Sequence, residues 1–524
     1  MIQTIRNHRL LSIVLCSMAI LYIFLPLKLQ SIEPYNYAAA IERYYKDSTG
    51  FALAQGENLP DFGRYHPNHP LGQVLAGVMF DWFKIPALSW MKGMNLVSAL
   101  CAAIFLYVLL IQLRCSKVVA AMSAALFLST YGGMFTVFSG EWHMPALALS
   151  LAGIWQAVIY IEGGETRRLY YSAFLLATAT CYHLAAFFFL FPIGVVLLFV
   201  RRFKDHWRVF LFAGGSIFIL LLAVYVIIPV LLFKFKSVDD FFRTFFVYKL
   251  LPHLRYTGLS WIQVLGQTIA HTFTFTPKPW AANPLFLGFF YATILAAIWK
   301  FCQGKISRPV KFLILGILIW WLFCHWLLGA RPDALMGWFF IMPFICFIVV
   351  KAFSELHKYT AHFVVALPLL LCCWNLWHGI LPNSLQRRDD IFFFGMPPGA
   401  PKTTPVAFVV GIPLFSDAEI WYAGSELGYR KQTHFFPCCG ENNFYSRLRR
   451  WVRENPNGAI VSDGGDRIIE ELIRSTGRQY VRWISKQAAW PASLVPSTIY
   501  VQHLQSNVRN KRITVWVPSE HFQY

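Results

Sequence analysis

Ser31-Ile32-Glu33-Pro34-Tyr35-Asn36-Tyr37-Ala38 follows closely on the apolar run from Leu10 to Leu29, and this junction decides how the chain is read. A run of that length crosses a bilayer as one helix. Just past it stands a carboxylate at the head of an aromatic helix, which a plain membrane anchor does not need. About eleven apolar stretches of this kind are spread over residues 1–380. The expected architecture is therefore an all-α, polytopic membrane domain.

Composition agrees. The chain is 57% hydrophobic and only 14% charged, with a mean hydropathy of +0.49, which excludes a soluble domain as the main reading. Its formal charge of +20 fits Lys and Arg gathered in cytoplasmic loops. The basic residues are scattered between apolar spans with no continuous stripe, so no nucleic-acid partner is expected. The 11 cysteines show neither a C-x-x-C pair nor Cys/His metal spacing. Cys372-Cys373 lies in a span, and a bond between the neighbours Cys438 and Cys439 would be strained, so the cysteines fix no redox compartment.

Charge sets the expected topology. Met1 to Arg9 is basic, and the run after it resembles a signal peptide without a small-residue cleavage site, so it reads as an uncleaved first helix. The loop over about 30–90 balances Glu33, Glu42, Asp47, Glu57, Asp61 and Asp81 against four basic residues, which places it outside. Spans are expected near 92–113, 118–138 and 144–161, with the turn Ser139-Gly140-Glu141-Trp142-His143 facing outward. Between Arg167-Arg168 and Arg201-Arg202 lie roughly thirty apolar residues, too many for one span and few for two. Both flanks are basic, so two short helices broken near Cys181-Tyr182-His183 satisfy length and charge together. Such a break at membrane depth is tolerated where backbone is buried or lines a wet cavity. Further spans near 209–232, 285–299, 312–329, 337–350 and 361–380, with a second outer loop over about 233–284, leave the C-terminus outside.

Composition changes after residue 380. Met396-Pro397-Pro398-Gly399-Ala400-Pro401 reads as a linker. Strands are expected at Val406–Gly411, Ala459–Ser462, Tyr480–Ile484, Ile499–Leu504 and Ile513–Val517, and helices near 442–454 and 466–476. Residues 381–524 thus read as a small extracytoplasmic α/β domain behind a transmembrane domain at 1–380.

Several polar residues stand out. Pro34 suits a first helical position and puts Glu33 at its cap. Tyr37, Ala40, Ile41, Tyr44 and Tyr45 then share one face, suited to a helix lying in the interface. Glu33 is either a cap favoured by the helix dipole or a catalytic base. Leu71, Val74, Leu75, Val78 and Trp82 mark a second such helix. Before it, His66-Pro67-Asn68-His69-Pro70 either binds a metal or phosphate or is a polar loop. Glu141 is held at the outer surface, facing a cavity or solvent. His183 is a site residue or a core histidine. Arg331 meets either a phosphate or lipid headgroups.

These features resemble the type C glycosyltransferase (GT-C) superfamily, which includes protein O-mannosyltransferases and lipid A aminoarabinose transferases. That family has one span, a large outer loop with an acidic residue, two interface helices and a Pro-rich turn. Its Asp followed four residues later by Tyr-Ala is matched by Glu33 and Tyr37-Ala38, its Pro-Pro-Leu turn is approximated by His69-Pro70-Leu71, and its second acid by Glu141. The segment with Arg331 and Pro343 is similar to one that begins with a basic residue. The departure is Glu33 where the family has Asp, a carboxylate set about one methylene further out.

The resemblance implies an inverting hexosyl- or pentosyltransferase of a bacterial inner membrane. It would move a sugar from a polyprenyl-phosphate donor to an outer hydroxyl of a lipid, glycan or protein. A phosphate leaving group needs only positive charge, whereas an acceptor hydroxyl needs a base. Glu33 and Glu141 are then the catalytic candidates, and Arg331, Lys249, Arg255 and His183 the phosphate candidates. Tyr37, His66, His69 and His143 are left to position donor or acceptor. No cofactor is fixed, and a divalent metal stays open. The rival readings are a transporter or flippase of lipid-linked glycans and an O-antigen ligase-type enzyme.

Overall fold

The computed structural model describes residues 8–25, 37–38, 41–42, 69–200, 203–232, 237, 259–276, 283–304, 308–327, 339–354, 360–381, 404–410, 433–437, 444–462, 466–477, 479–485 and 513–519. The chain divides into two compact units. The first holds 1–26, 65–75 and 89–382, and the second holds 27–64, 76–88 and 383–524.

The helices, in chain order, are α1 (Arg9–Phe24), α2 (Pro70–Phe83), α3 (Ala87–Gln112), α4 (Lys117–Ser129), α5 (Tyr131–Ser139), α6 (His143–Gly163) and α7 (Thr166–Tyr182). They continue as α8 (Leu190–Val200), α9 (Phe203–Leu222), α10 (Ile228–Leu232), α11 (Leu259–Phe273), α12 (Pro284–Gln303), α13 (Arg308–Leu327), α14 (Met342–Ser354) and α15 (Thr360–Trp374). Two π-helical segments intervene, Ala223–Ile227 joining α9 to α10, and Asn375–Ile380 after α15.

Local chemistry explains many of the boundaries. The Ser116 hydroxyl accepts the Val119 N–H at the start of α4, and Asn283 accepts the Leu285 N–H ahead of Pro284 in α12. Gly164 ends α6 with a left-handed φ of 78°, where a Cβ is disfavoured. It turns the chain into α7, which packs back along α6 with Leu176 pressed on Gly153.

Among the described residues four helices are long and apolar enough to cross a membrane, or five if the bent pair α4–α5 is one span: Ala87–Gln112, His143–Gly163, Trp207–Leu231 and Pro284–Gln303 are the four. Shorter apolar helices, among them α1, α14 and parts of α13 and α15, accompany them. α14 is buried nearly all round, from Met342 to Val350, as a core helix must be. By contrast Phe212, Phe218, Leu231, Leu285 and Phe289 are exposed. Water does not tolerate so many large exposed apolar side chains on long apolar helices, and the chain is an integral membrane protein.

The segment near 118–138 is not a single straight helix. α4 and α5 meet at 59° across Thr130, which is extended (φ −63°, ψ 151°) and caps α5 by accepting the Gly133 N–H at 3.1 Å. Gly132 and Gly133 make the bend possible, since a Cβ on Gly133 would meet the Phe127 carbonyl at 2.6 Å, and one on Gly132 would meet Thr272 at 2.7 Å. Asn375 holds the junction. Its Nδ2 donates to Ser129 O at 2.8 Å and its Oδ1 accepts the Phe275 N–H at 2.7 Å.

The second unit contains a five-stranded sheet in the order β2-β1-β3-β5-β4. Its strands are β1 (Val406–Val410), β2 (Thr433–Pro437), β3 (Ala459–Ser462), β4 (Tyr480–Ser485) and β5 (Ile513–Pro518). β1 lies parallel to β2 and β3, whereas β5 runs antiparallel to β3 and β4. Leu448, Trp451 and Val452 of α16 (Phe444–Glu454) and Ile469, Leu472 and Ile473 of α17 (Asp466–Thr476) close the core over Ala407, Val409, Ile460 and Trp516. The strand at Thr433–Pro437 was not expected from the sequence, and the one expected at Ile499–Leu504 lies outside the described residues.

Candidate active site

A cluster of three histidines and one carboxylate occupies the first unit. Each member comes from a helix end. His69 directly precedes α2, Glu141 and His143 flank the α5–α6 turn, and His183 stands at the break after α7.

The turn is held from behind. Gly140 ends α5 at φ 86° with its N–H on Thr136 O, and Asn95 of α3 donates to the same carbonyl at 2.9 Å. Trp142, only 1% exposed, lies flat on Gly72 of α2, where any Cβ would come within 2.7 Å of the indole. Glu141 is thereby buried, at 3% exposed. The reading of a solvated loop carboxylate is overturned by this packing.

The break at 183 is as the length and charge of the segment led us to expect. His183 is extended (φ −156°, ψ 122°), followed by a 3-10 turn, Leu184–Phe189, and then α8. Its Nδ1 accepts the Ala185 N–H at 3.0 Å, which places the ring proton on Nε2. His69 Nδ1 lies 3.4 Å from the Tyr182 carbonyl, an acceptor only, so there the proton is on Nδ1. The rings of His143 and His183 are 4.2 Å apart, His69 and His183 4.7 Å, and His69 and His143 6.0 Å. Phe340 closes one side at 5.3 Å from His183 and 6.0 Å from His143, backed by Trp321 stacked on it at 5.6 Å.

Glu141 Oε2 and His143 Nδ1 approach to 3.2 Å, without the alignment of a hydrogen bond. Glu141 Oε2, Trp142 Nε1 and His143 Nδ1 are each buried with no aligned hydrogen-bond partner among the described residues. One such orphan costs about 1–3 kcal/mol. Buried polar groups are normally hydrogen-bonded, so three on consecutive residues without an aligned bond set this turn apart, with Glu141 and His143 meeting through their charge-bearing atoms at 3.2 Å. Among the described residues no group of three or more His, Cys, Asp or Glu side chains is arranged to hold a metal ion.

Of the candidates named from the sequence, His69, Glu141, His143 and His183 are brought together. Tyr37 is half-buried on a helical stretch with Ala38 and Ile41 buried beside it. Glu33, His66, Lys249, Arg255 and Arg331 lie outside the described residues. Sequence reading passed over Asn95, Trp142, Trp321 and Phe340, which sit in apolar spans or turns with no local signal. It also passed over Glu42, a buried carboxylate that accepts the Ala87 N–H at 2.8 Å and so caps α3.

No protein-family model matches the chain, and no curated protein matches it in sequence. Solved structures do match in shape. The crystal structure of ArnT from Cupriavidus metallidurans bound to undecaprenyl phosphate aligns with a TM-score of 0.57 at 11% identity, covering 99% of this chain and 100% of that one. The same protein in the apo state gives 0.54 at 11% identity, covering 96% and 97%. The oligosaccharyltransferase of Archaeoglobus fulgidus is a looser match, with a TM-score of 0.45 at 12% identity over 87% of this chain and 69% of that one.

Proposed function

We propose that this chain, whose fold is that of the GT-C superfamily, is a membrane glycosyltransferase that takes its sugar from a polyprenyl-phosphate donor. The observation that carries the reading is the run Glu141-Trp142-His143, with three buried polar atoms that make no aligned hydrogen bond, two of them in ionic contact with each other, beside the imidazoles of His69 and His183. A lipid-linked sugar phosphate supplies what they lack, hydroxyls for the carboxylate and phosphate oxygens for N–H donors. Undecaprenyl phosphate, bound in the structurally similar ArnT, has the phosphate half of this chemistry.

In the proposed reaction the acceptor oxygen attacks the anomeric carbon from the face opposite the phosphate. The carbon–oxygen bond to phosphate breaks as the new one forms, and the configuration inverts. The acceptor proton passes to Glu33, the base named by the first-loop motif. The phosphate leaves as an anion, which needs no proton but gains from N–H donors and positive charge. His183, with Nε2 protonated, is a donor of this kind, and Arg331, Lys249 and Arg255 are its proposed partners. Glu141, held against His143, orients the sugar or acceptor hydroxyl. Residues 1–380 form the catalytic membrane domain in this reading, and 381–524 an extracytoplasmic domain.

The test is purified protein in proteoliposomes with radiolabelled polyprenyl-phosphate sugar and a mixed set of lipid, glycan and peptide acceptors. Label in an acceptor is the expected result. Label that crosses the bilayer still on its carrier would mean a flippase instead.

A further inference from the structure

Gln73 of α2 is 1% exposed, and its side-chain oxygen Oε1 is buried with no hydrogen-bond partner among the described residues. Its backbone N–H donates to the His69 carbonyl at 3.1 Å, so it stands one helical turn after that histidine, on the same face. Helical side chains lean toward the N-terminus, which from position 73 is toward His69 and the rings of His143 and His183 beside it. Glu141 and His143 lie against each other, but a neutral amide has no ionic contact to offset its missing bond. A methionine would fill the same space without burying an unbonded oxygen, so packing alone gives no reason for a glutamine here.

The polar atoms of the cluster divide by side. On the α2 side they accept. Gln73 Oε1 is an acceptor, and neutral His69, with its proton on Nδ1 toward the Tyr182 carbonyl, carries its lone pair on Nε2. At the break His183 donates, through the proton on its Nε2. A phosphate offers oxygens that only accept, and it cannot bond Gln73 Oε1. A hydroxyl can. A sugar phosphate set with its phosphate toward His183 therefore turns its hydroxyls toward α2. An ammonium group also donates, but a buried positive charge needs a carboxylate of its own, and Gln73 is neutral.

We infer that Gln73 accepts a hydrogen bond from a hydroxyl of the transferred sugar and selects a neutral sugar for transfer. The inference rests on the proposed transferase reading. A site built to bond a substrate hydroxyl discriminates against the analogue that lacks it, because its own buried group is then left unpaired.

The test uses the full chain in detergent with a mixed set of acceptors and undecaprenyl phosphate carrying glucose, mannose, arabinose or glucosamine. Each monodeoxy form of the sugar transferred fastest is then compared with the intact one. Wild-type protein should lose about tenfold in kcat/KM on one monodeoxy donor. Gln73→Met should lose about as much on the intact donor and no more on that monodeoxy donor, since both changes remove the same bond and do not add. Its melting temperature should equal or exceed that of wild type. Gln73→Leu is the second variant if Gln73→Met does not fold, with the same kinetic expectation. Losses that add on every donor, a variant as active as wild type on the intact sugar, no monodeoxy donor that wild type disfavours, or transfer of glucosamine alone overturns the assignment. If wild-type protein transfers sugar from none of the donors, it is the transferase reading that fails, and this inference with it.

Discussion

Replacing Gly72 with alanine should damage activity far more than stability. Alanine is the better helix former by about 1 kcal/mol, and Gly72 sits inside α2, so backbone preference favours the change. The new methyl, however, would stand 2.7 Å from Cδ2 and Cε3 of Trp142, where carbon atoms at rest keep about 3.5–4 Å apart. The indole is fully buried and must shift by about 1 Å to relieve the contact. Its neighbours on either side are Glu141 and His143, which move with it. Overpacking of this kind costs about 1–3 kcal/mol, much of it offset by helix propensity. A displacement of about 1 Å at a reacting centre costs on the order of 100-fold in rate. The measurement is steady-state transfer by detergent-solubilised Gly72→Ala beside its melting temperature, and then by Gly72→Ala combined with Trp142→Phe, whose smaller ring makes room. Loss of kcat with an almost unchanged melting temperature, partly restored in the double variant, is expected. Normal kcat in Gly72→Ala would refute the argument that this packing sets the position of Glu141.

Arg331→Ala should raise the KM for donor without changing that for acceptor, and Arg331→Lys should restore it only in part, since a guanidinium offers phosphate two coplanar donors; kinetics with each substrate varied separately decide this. A reporter fused after Tyr524 should read extracytoplasmic, and a cytoplasmic signal would mean that the 170–200 segment crosses only once. Burial against Tyr131 and Phe275 pushes the His271 imidazole down from its ordinary 6.5 to about 4. A histidine depressed in this way leaves stability intact above about pH 6.5, then lowers it as pH falls toward 4, because the unfolded chain takes up the proton first. Melting temperatures between pH 7 and 4 should therefore fall more steeply in wild-type protein than in His271→Gln.

What could be read in the sequence was whatever length, charge and periodicity record. The break at His183 followed from an apolar run too long for one span between two basic flanks. α2 followed from the spacing of Leu71, Val74, Leu75, Val78 and Trp82, and the GT-C resemblance followed from short acidic and proline motifs in the first loop. Four of the strands and both helices of the second unit appear where pattern placed them. Contacts made in three dimensions left no such trace. His69, His143 and His183 are far apart in the chain, and nothing local announces that three helix ends converge. The bend at Thr130 hides in a continuous apolar run, because a threonine cap and two glycines look unremarkable there. Glu42 was counted only as loop charge, since its partner Ala87 lies 45 residues on. β2 was missed because Thr433–Pro437 is short and ends in proline, a poor strand signal.

The central claim, that sugar transfer takes place at the carboxylate-and-histidine cluster, is tested most directly by single-turnover transfer from radiolabelled polyprenyl-phosphate sugar. Wild-type protein, Glu33→Gln and Glu141→Gln are compared at equal amounts of folded protein. Both amides nearly keep the shape of the carboxylate and remove its charge. Glu33→Gln should slow transfer by about 10²–10⁴-fold, the usual worth of a general base, and Glu141→Gln should also lose activity, with donor still bound in each case. Transfer at the wild-type rate by both variants would contradict the account and leave Glu33 as a helix cap and Glu141 as a buried structural carboxylate.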